Sequence, residues 1–246
     1  MQHDVRVERL LAKNSYGIAD LLEIMEILRD QCPWDKEQTH QSIRNNFIEE
    51  VYEVIEGIDT SDIDLMKEEL GDVLLQIVFH SRIEEELGNF DFAQVSDGIC
   101  KKLITRHPHI FADVVADNTE AVLSNWDQIK RNTKGQKTTH NAMEGVSKAL
   151  PSLMRAEKVQ SKAAKSGYGF GSSSANFKRI RAEIDNLETI INDKRANNEM
   201  SNTLGRILFD LCSISRTNEI SADEALYGAI EQFIGDFSAA EQNETK

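Results

Sequence analysis

The chain has 246 residues, 40% of them apolar, and a formal net charge of −14 from 28 basic and 42 acidic side chains. That length holds one large domain or two small ones, and the acidic balance argues against broad electrostatic binding to nucleic acid or to anionic membranes. Only 3 prolines and 13 glycines are present, so the turn chemistry that strands require is scarce and the composition predicts an all-α protein.

In chain order, Ile18, Leu21, Leu22, Ile24, Met25, Ile27 and Leu28 have helical spacing and predict a first helix over 18–30, closed by Pro33. A loop, Cys32-Pro33-Trp34-Asp35-Lys36-Glu37-Gln38-Thr39-His40, leads to a helix from about Ser42 to Gly57. After a polar break, Asp59 to Asp64, a third helix runs from about Asp62 to Leu87, where Gly88 ends it; a fourth, from Phe92 to about Arg106, is stopped by Pro108. Four such helices make a bundle. A further short helix from Asn118 carries Trp126 and Lys130, and the polar stretch 131–140 reads as a linker. The expected division is a first domain over 1–131, a linker over 132–149 and a second domain over 150–246.

The second domain reads as a degraded copy of the first. Pro151 opens a helix that ends at Gly167-Tyr168-Gly169-Phe170-Gly171. Ala182-Glu183-Ile184-Asp185-Asn186 stands where the acidic motif Glu49-Glu50-Val51-Tyr52-Glu53 stood, and Thr203-Leu204-Gly205-Arg206 where Glu69-Leu70-Gly71-Asp72 stood. The apolar frame is kept and the carboxylates mostly are not; Arg206 in an aspartate's place opposes cation binding. Any working site is expected in the first copy.

At about 100° per residue, Phe47, Val51, Val54, Ile55 and Ile58 form one apolar stripe with Glu50 at its edge and Glu53 a turn further on. On the next helix Glu69, Asp72, Gln76 and His80 share a narrow polar stripe in a run so apolar that the helix is expected to be buried on most sides. Buried carboxylates require solvent, basic partners or a cation, and an all-oxygen set suits Mg²⁺, which keeps waters for substrate phosphates. One acidic pair alone is more often a solvated helix face; two pairs at i, i+3 on consecutive helices favour a metal. A di-iron site would need Glu-x-x-His from two helices, and the chain has that spacing at Glu37 and His40, in or beside a loop. Lys102 and Arg106 lie on one face at the end of the fourth helix, where they either complement the helix dipole or hold phosphates. His107 and His109 flank Pro108 without a third ligand and read as structural. Three well-separated cysteines, Cys32, Cys100 and Cys212, predict reduced thiols in a cytoplasmic protein. No signal peptide and no membrane span are expected.

The ordered set Cys32 to His40, Glu49-Glu50-x-x-Glu53, Glu69-x-x-Asp72, Lys102-Leu103-Ile104-Thr105-Arg106-His107-Pro108-His109-Ile110-Phe111 and Trp126-x-x-x-Lys130 resembles the MazG family of nucleoside triphosphate pyrophosphohydrolases. The resemblance is strong to about residue 131 and loose beyond. It implies an all-α homodimeric enzyme that uses Mg²⁺, with Mn²⁺ as a substitute, to split nucleoside triphosphates into monophosphate and pyrophosphate. By the same resemblance Glu50, Glu53, Glu69 and Asp72 would be metal ligands, and Glu49 either a base or an extra ligand. Lys102 and Arg106 would hold phosphates, while Trp126 and Lys130 would close the nucleotide pocket. Which of Glu49, Glu50 and Glu53 is the base stays open. The alternatives are a narrow dUTP- or dCTP-type pyrophosphatase and a non-catalytic nucleotide-sensing helical protein. In the second copy the phosphate clamp aligns loosely with Gln232 and Asp236, which predicts silence there.

Overall fold

A computed structural model of the chain describes residues 4–112, 118, 122, 126, 129 and 138–244; the described residues carry α-helices and no strand. The chain divides into two compact units, Met1–Val122 and Leu123–Lys246. The first contains α1 (Val5–Leu11), α2 (Ile18–Gln31), α3 (Pro33–Glu37), α4 (Arg44–Asp59), α5 (Ile63–Glu86), α6 (Phe92–Arg106) and α7 (Pro108–Phe111). The second contains α8 (Thr139–Glu144), α9 (Ser152–Ala164), α10 (Ser173–Asn192), α11 (Asn197–Thr217) and α12 (Ala222–Glu244). Among the described residues no helix is long and apolar enough to cross a membrane.

In the first unit the core gathers Met25, Ile43, Val78, Phe79 and Ile83, with Leu21, Leu22, Leu75 and Phe92 packed around it. Local chemistry sets the helix starts. Asp62 accepts from the backbone N–H groups of Asp64 and Leu65 to open α5, and Asp91 and Gln94 cap each other's backbone at the start of α6. The most extensive helix contact in this unit is between α4 and α5. It is made possible by Gly57, where an added Cβ would lie 2.8 Å from the Met66 backbone nitrogen and 2.9 Å from its Cα.

The structure departs from the sequence reading at several points. A short α1 precedes the first expected helix, and the loop after Pro33 contains α3, since proline's fixed φ suits a helix's first position. For the same reason Pro108 ends α6 and begins α7. α4 continues through Gly57 to Asp59, because a glycine inside a helix is tolerated where a neighbour must approach closely. α8 lies in the stretch expected as a linker, capped by Thr138 and holding buried Ala142.

The face of α4 that meets α5 is also rotated from the expected stripe. Phe47, Glu50, Val54 and Gly57 turn inward, while Val51, Ile55 and Ile58 are 41%, 42% and 56% exposed. The helix is apolar on two faces, and α5 covers only one. α5 is likewise not buried on most sides, because Leu70 and Leu74 remain exposed.

Candidate metal centre

Glu50 on α4 stands opposite Glu69 and Asp72, which are one turn apart on α5. Ligand oxygens of the three lie within 4.8 Å of one another, and all three residues are half-buried. Glu53, a turn beyond Glu50 and exposed, acts on both Glu50 and Glu69. Partial burial holds the Glu50 carboxyl above the ordinary carboxylate range, and Glu53, Asp72 and Glu69 push it further. Glu69 is raised by partial burial, then by Glu53, Asp72 and Glu68. The charges that raise these two groups are negative, so the cluster is crowded with like charge.

That donor set fits a hard divalent cation. It is all oxygen, and two ligands on one Mg²⁺ at about 2.1 Å span at most about 4.2 Å, so a small contraction closes the cluster on an ion. Gln76 supplies an independent sign. It lies one turn beyond Asp72 on the same face of α5, is only 7% exposed, and its side-chain oxygen is buried without a hydrogen-bond partner. An unmet buried acceptor costs about 1 to 3 kcal/mol; water in a cation's hydration shell would satisfy it.

The polar stripe ends differently from expectation. His80 does not join the acids. Its ring stacks on His40, with centroids 4.9 Å apart and planes within 7°, and its Nδ1 is 2.6 Å from His40 Nδ1. His40 Nε2 lies 2.7 Å from Glu84, whose other oxygen accepts from the Asn89 amide at 2.6 Å. Burial, then His40, pushes the His80 imidazole below its usual value. His40 is thus committed to α5, so the Glu37 and His40 spacing does not assemble a di-iron site.

Arg29, at the end of α2, fastens the Cys32 to Gln38 segment. Its Nη1 donates to the carbonyl oxygens of Asp35, Lys36 and Gln38 at 2.5, 3.2 and 2.9 Å, and its Nε and Nη2 bind Glu86 on α5 at 3.0 and 2.5 Å. Sequence reasoning passed over Arg29, whose only local signal was its place in a last turn. It also passed over Gly57, whose signal was a glycine within a helical pattern.

Glu49 is exposed on α4 outside the three-carboxylate cluster, Lys102 is exposed on α6, and Arg106 is half-buried at its end. Trp126 is helical and half-buried, while Lys130 lies outside the described residues. His107 Nδ1–H donates to the Leu103 carbonyl at 2.7 Å.

In the second unit Arg206 on α11 forks onto Glu183 on α10 at 2.8 and 3.0 Å. Asn186 and Thr203 are joined at 3.4 Å.

The family model for the MazG nucleotide pyrophosphohydrolase domain matches residues 38–111, the span that holds α4, α5 and every carboxylate of the centre. The nucleoside triphosphate pyrophosphohydrolase of Escherichia coli (strain K12) is 37% identical over 230 residues, 90% of this chain and 86% of that protein. The nucleoside triphosphate pyrophosphohydrolase/pyrophosphatase MazG of Thermotoga maritima is 35% identical over 225 residues, 91% of this chain and 85% of that protein. The nucleoside triphosphate pyrophosphohydrolase of Mycobacterium tuberculosis (strain H37Rv) is 35% identical over 152 residues, 61% of this chain and 46% of that protein. With more than a third of positions identical across most of two relatives, and with the matched domain centred on the carboxylate helices, the chain belongs to the MazG nucleotide pyrophosphohydrolase family.

Proposed function

We propose that this chain hydrolyses nucleoside triphosphates, ribo- or deoxyribo-, between the α- and β-phosphates, releasing the monophosphate and pyrophosphate and so clearing the nucleotide pool. The observation that carries this reading is the oxygen-only cluster of Glu50, Glu69 and Asp72, crowded by like charge inside the family-matched segment. These three would hold Mg²⁺, with Mn²⁺ as a substitute and Glu53 completing the set. A bound ion supplies charge to the phosphate oxygens and acidifies a coordinated water.

The chain's own groups do the rest. Glu49, exposed and outside the ligand set, is assigned to accept the proton of the attacking water. Gln76 orients water through its unpartnered oxygen. Water adds to the α-phosphorus, the bond to the bridging oxygen breaks, and pyrophosphate leaves. Lys102 and Arg106, four residues apart on α6, are assigned to the departing phosphates, and Trp126 with Lys130 to the nucleoside.

A homodimer belongs to the same proposal. Ile48, Tyr52 and Ile55 on α4 and Val95, Ile99 and Leu103 on α6 are exposed, an apolar surface that a second copy would cover. Unpaired Cys32, Cys100 and Cys212 support a cytoplasmic setting.

Incubation with each dNTP and Mg²⁺ tests the reading. Pyrophosphate should appear with the monophosphate, and Asp72→Asn should abolish it. Orthophosphate as the sole product would exclude cleavage at the α,β bond.

A further inference from the structure

The second unit contains a cleft of about 770 Å³ bounded by Arg179, Glu183, Asn186, Asn202, Arg206 and Phe209, a volume within the roughly 300 to 1,000 Å³ of small-molecule sites. Two oppositely directed forks cross it. Arg206 on α11 grips Glu183 on α10 at 2.8 and 3.0 Å, and Arg179 on α10 grips Asp210 on α11 at 3.1 and 2.9 Å. Each arginine spends only Nε and Nη2. Arg206 Nη2 also donates to Thr203 at 3.0 Å, and Arg179 Nη2 to Asn176 at 2.7 Å and the Phe170 carbonyl at 3.3 Å. Neither Nη1 meets an acceptor among the described residues. The carboxylates therefore hold two guanidinium planes in place and leave donors on both. Phe209 is 40% exposed in the same cleft, and the space above Gly205 is open, with nothing within 4 Å of where a Cβ would be. Together they form a floor on which a flat ring can lie.

The spacing of these residues repeats that of the metal centre. Glu183 and Asn186 have the separation of Glu50 and Glu53, and Thr203 and Arg206 that of Glu69 and Asp72. A guanidinium in place of Asp72 and an amide in place of Glu53 leave no seat for a divalent ion.

We propose that this cleft binds a nucleoside monophosphate without metal, its phosphate on Arg206 and Arg179 and its base over Phe209 and Gly205. The choice of a nucleotide rests on the proposed function, whose product such a ligand would be. A monophosphate is favoured over a triphosphate because the two arginines are already balanced by Glu183 and Asp210, in a chain of net charge −14. An unchelated triphosphate would bring more negative charge than the site offsets.

Isothermal titration of the full chain with AMP in EDTA is the test. Binding is expected and should weaken at least tenfold in Arg206→Gln and in Phe209→Leu. Asn202→Ala leaves both forks intact and should weaken it too; Asp72→Asn, in the other unit, should not, and ATP in EDTA should bind less tightly than AMP. No binding of AMP, retention of full affinity in both Arg206→Gln and Asn202→Ala, loss in Asp72→Asn, or equal affinity for inorganic phosphate each overturns the proposal. Pyrophosphate release by the wild type, measured in parallel, separates the two readings. Hydrolysis without AMP binding removes the cleft alone, whereas AMP binding without hydrolysis removes the catalytic reading alone.

Discussion

Replacing Gly57 by alanine sets two effects of known size against each other. Inside an exposed helix the change is favourable by about 0.8 to 1.0 kcal/mol, because glycine loses more backbone freedom on folding. In α4 the new Cβ would lie 2.8 Å from Met66 N, 2.9 Å from Met66 Cα and 3.1 Å from Met66 Cβ. Carbon contacts are comfortable at about 3.5 to 4.0 Å, so the helices must separate by roughly 0.6 Å or more. The nearest atoms belong to the α5 backbone and cannot rotate away. Overpacking of this kind costs about 1 to 3 kcal/mol, which exceeds the propensity gain over most of its range, so a net loss centred on about 1 kcal/mol is expected. For a domain of this size that is a fall of several degrees in Tm. The same separation reaches the metal centre, because Glu50 lies two turns from Gly57 on α4 and the cluster already spans up to 4.8 Å. Mg²⁺ tolerates little change in ligand distance, so the rise in Tm on adding Mg²⁺ should shrink relative to wild type. Calorimetric melts with and without Mg²⁺ measure both. A Gly57→Ala protein that melts at or above wild type would refute the close-contact argument.

Asp72→Asn should raise the Tm of the metal-free protein at pH 7 and remove its response to Mg²⁺. Glu50 and Glu69 are raised above their ordinary value, so their contribution is present below about pH 4.5 and lost as pH rises through the raised range; the wild-type minus Asp72→Asn difference should follow that sign. His80 is lowered, so its contribution is present above about pH 6.5 and lost as pH falls through the lowered value; His80→Gln should flatten the stability profile in that window. Arg29→Ala takes the guanidinium donor from three carbonyls and leaves Glu86 with Arg82 alone, and should cost about 2 to 3 kcal/mol in urea unfolding. Arg29→Lys should recover little, since one ammonium cannot serve both the fork and the carbonyls. Ser61 joins α4 to α5 with φ at 57°, so Ser61→Gly should gain about 0.5 to 1 kcal/mol, and an unchanged urea midpoint would show the turn to be unstrained.

The all-α class and the four longer helices of the first unit, α2, α4, α5 and α6, were legible because periodicity and helix-stop residues act locally. Pro33 and Pro108 were legible as stops but not as starts, for a related reason. Proline keeps the preceding residue out of a helix, yet itself suits the first position of a new one, and periodicity over four or five residues is too short to reveal the second effect. The face of α4 was misread because a helix with Phe47 and Val54 on one side and Val51, Ile55 and Ile58 on another offers two apolar surfaces. Only the partner's backbone decides between them. That decision is made at Gly57, the one inward position where α5 can come this close. Glu50, one face-repeat away from Gly57, was thereby moved from the stripe's edge to its middle.

The carboxylates were legible as types and spacings, but their separation into roles was not. Glu50, Glu69 and Asp72 converge because α4 and α5 are held by the Gly57 contact, whereas Glu49, adjacent in sequence to Glu50, is turned by about 100° and stays exposed. Gln76 and His80 share the stripe with Asp72, yet packing gives them different fates. His80 finds His40, Phe47 and, through His40, Glu84. Gln76 finds no partner for its oxygen. A buried acceptor left without a partner, a turn from three mutually repelling carboxylates, makes that face incomplete in charge and in hydrogen bonding at the same place. A hydrated divalent cation would complete both at once.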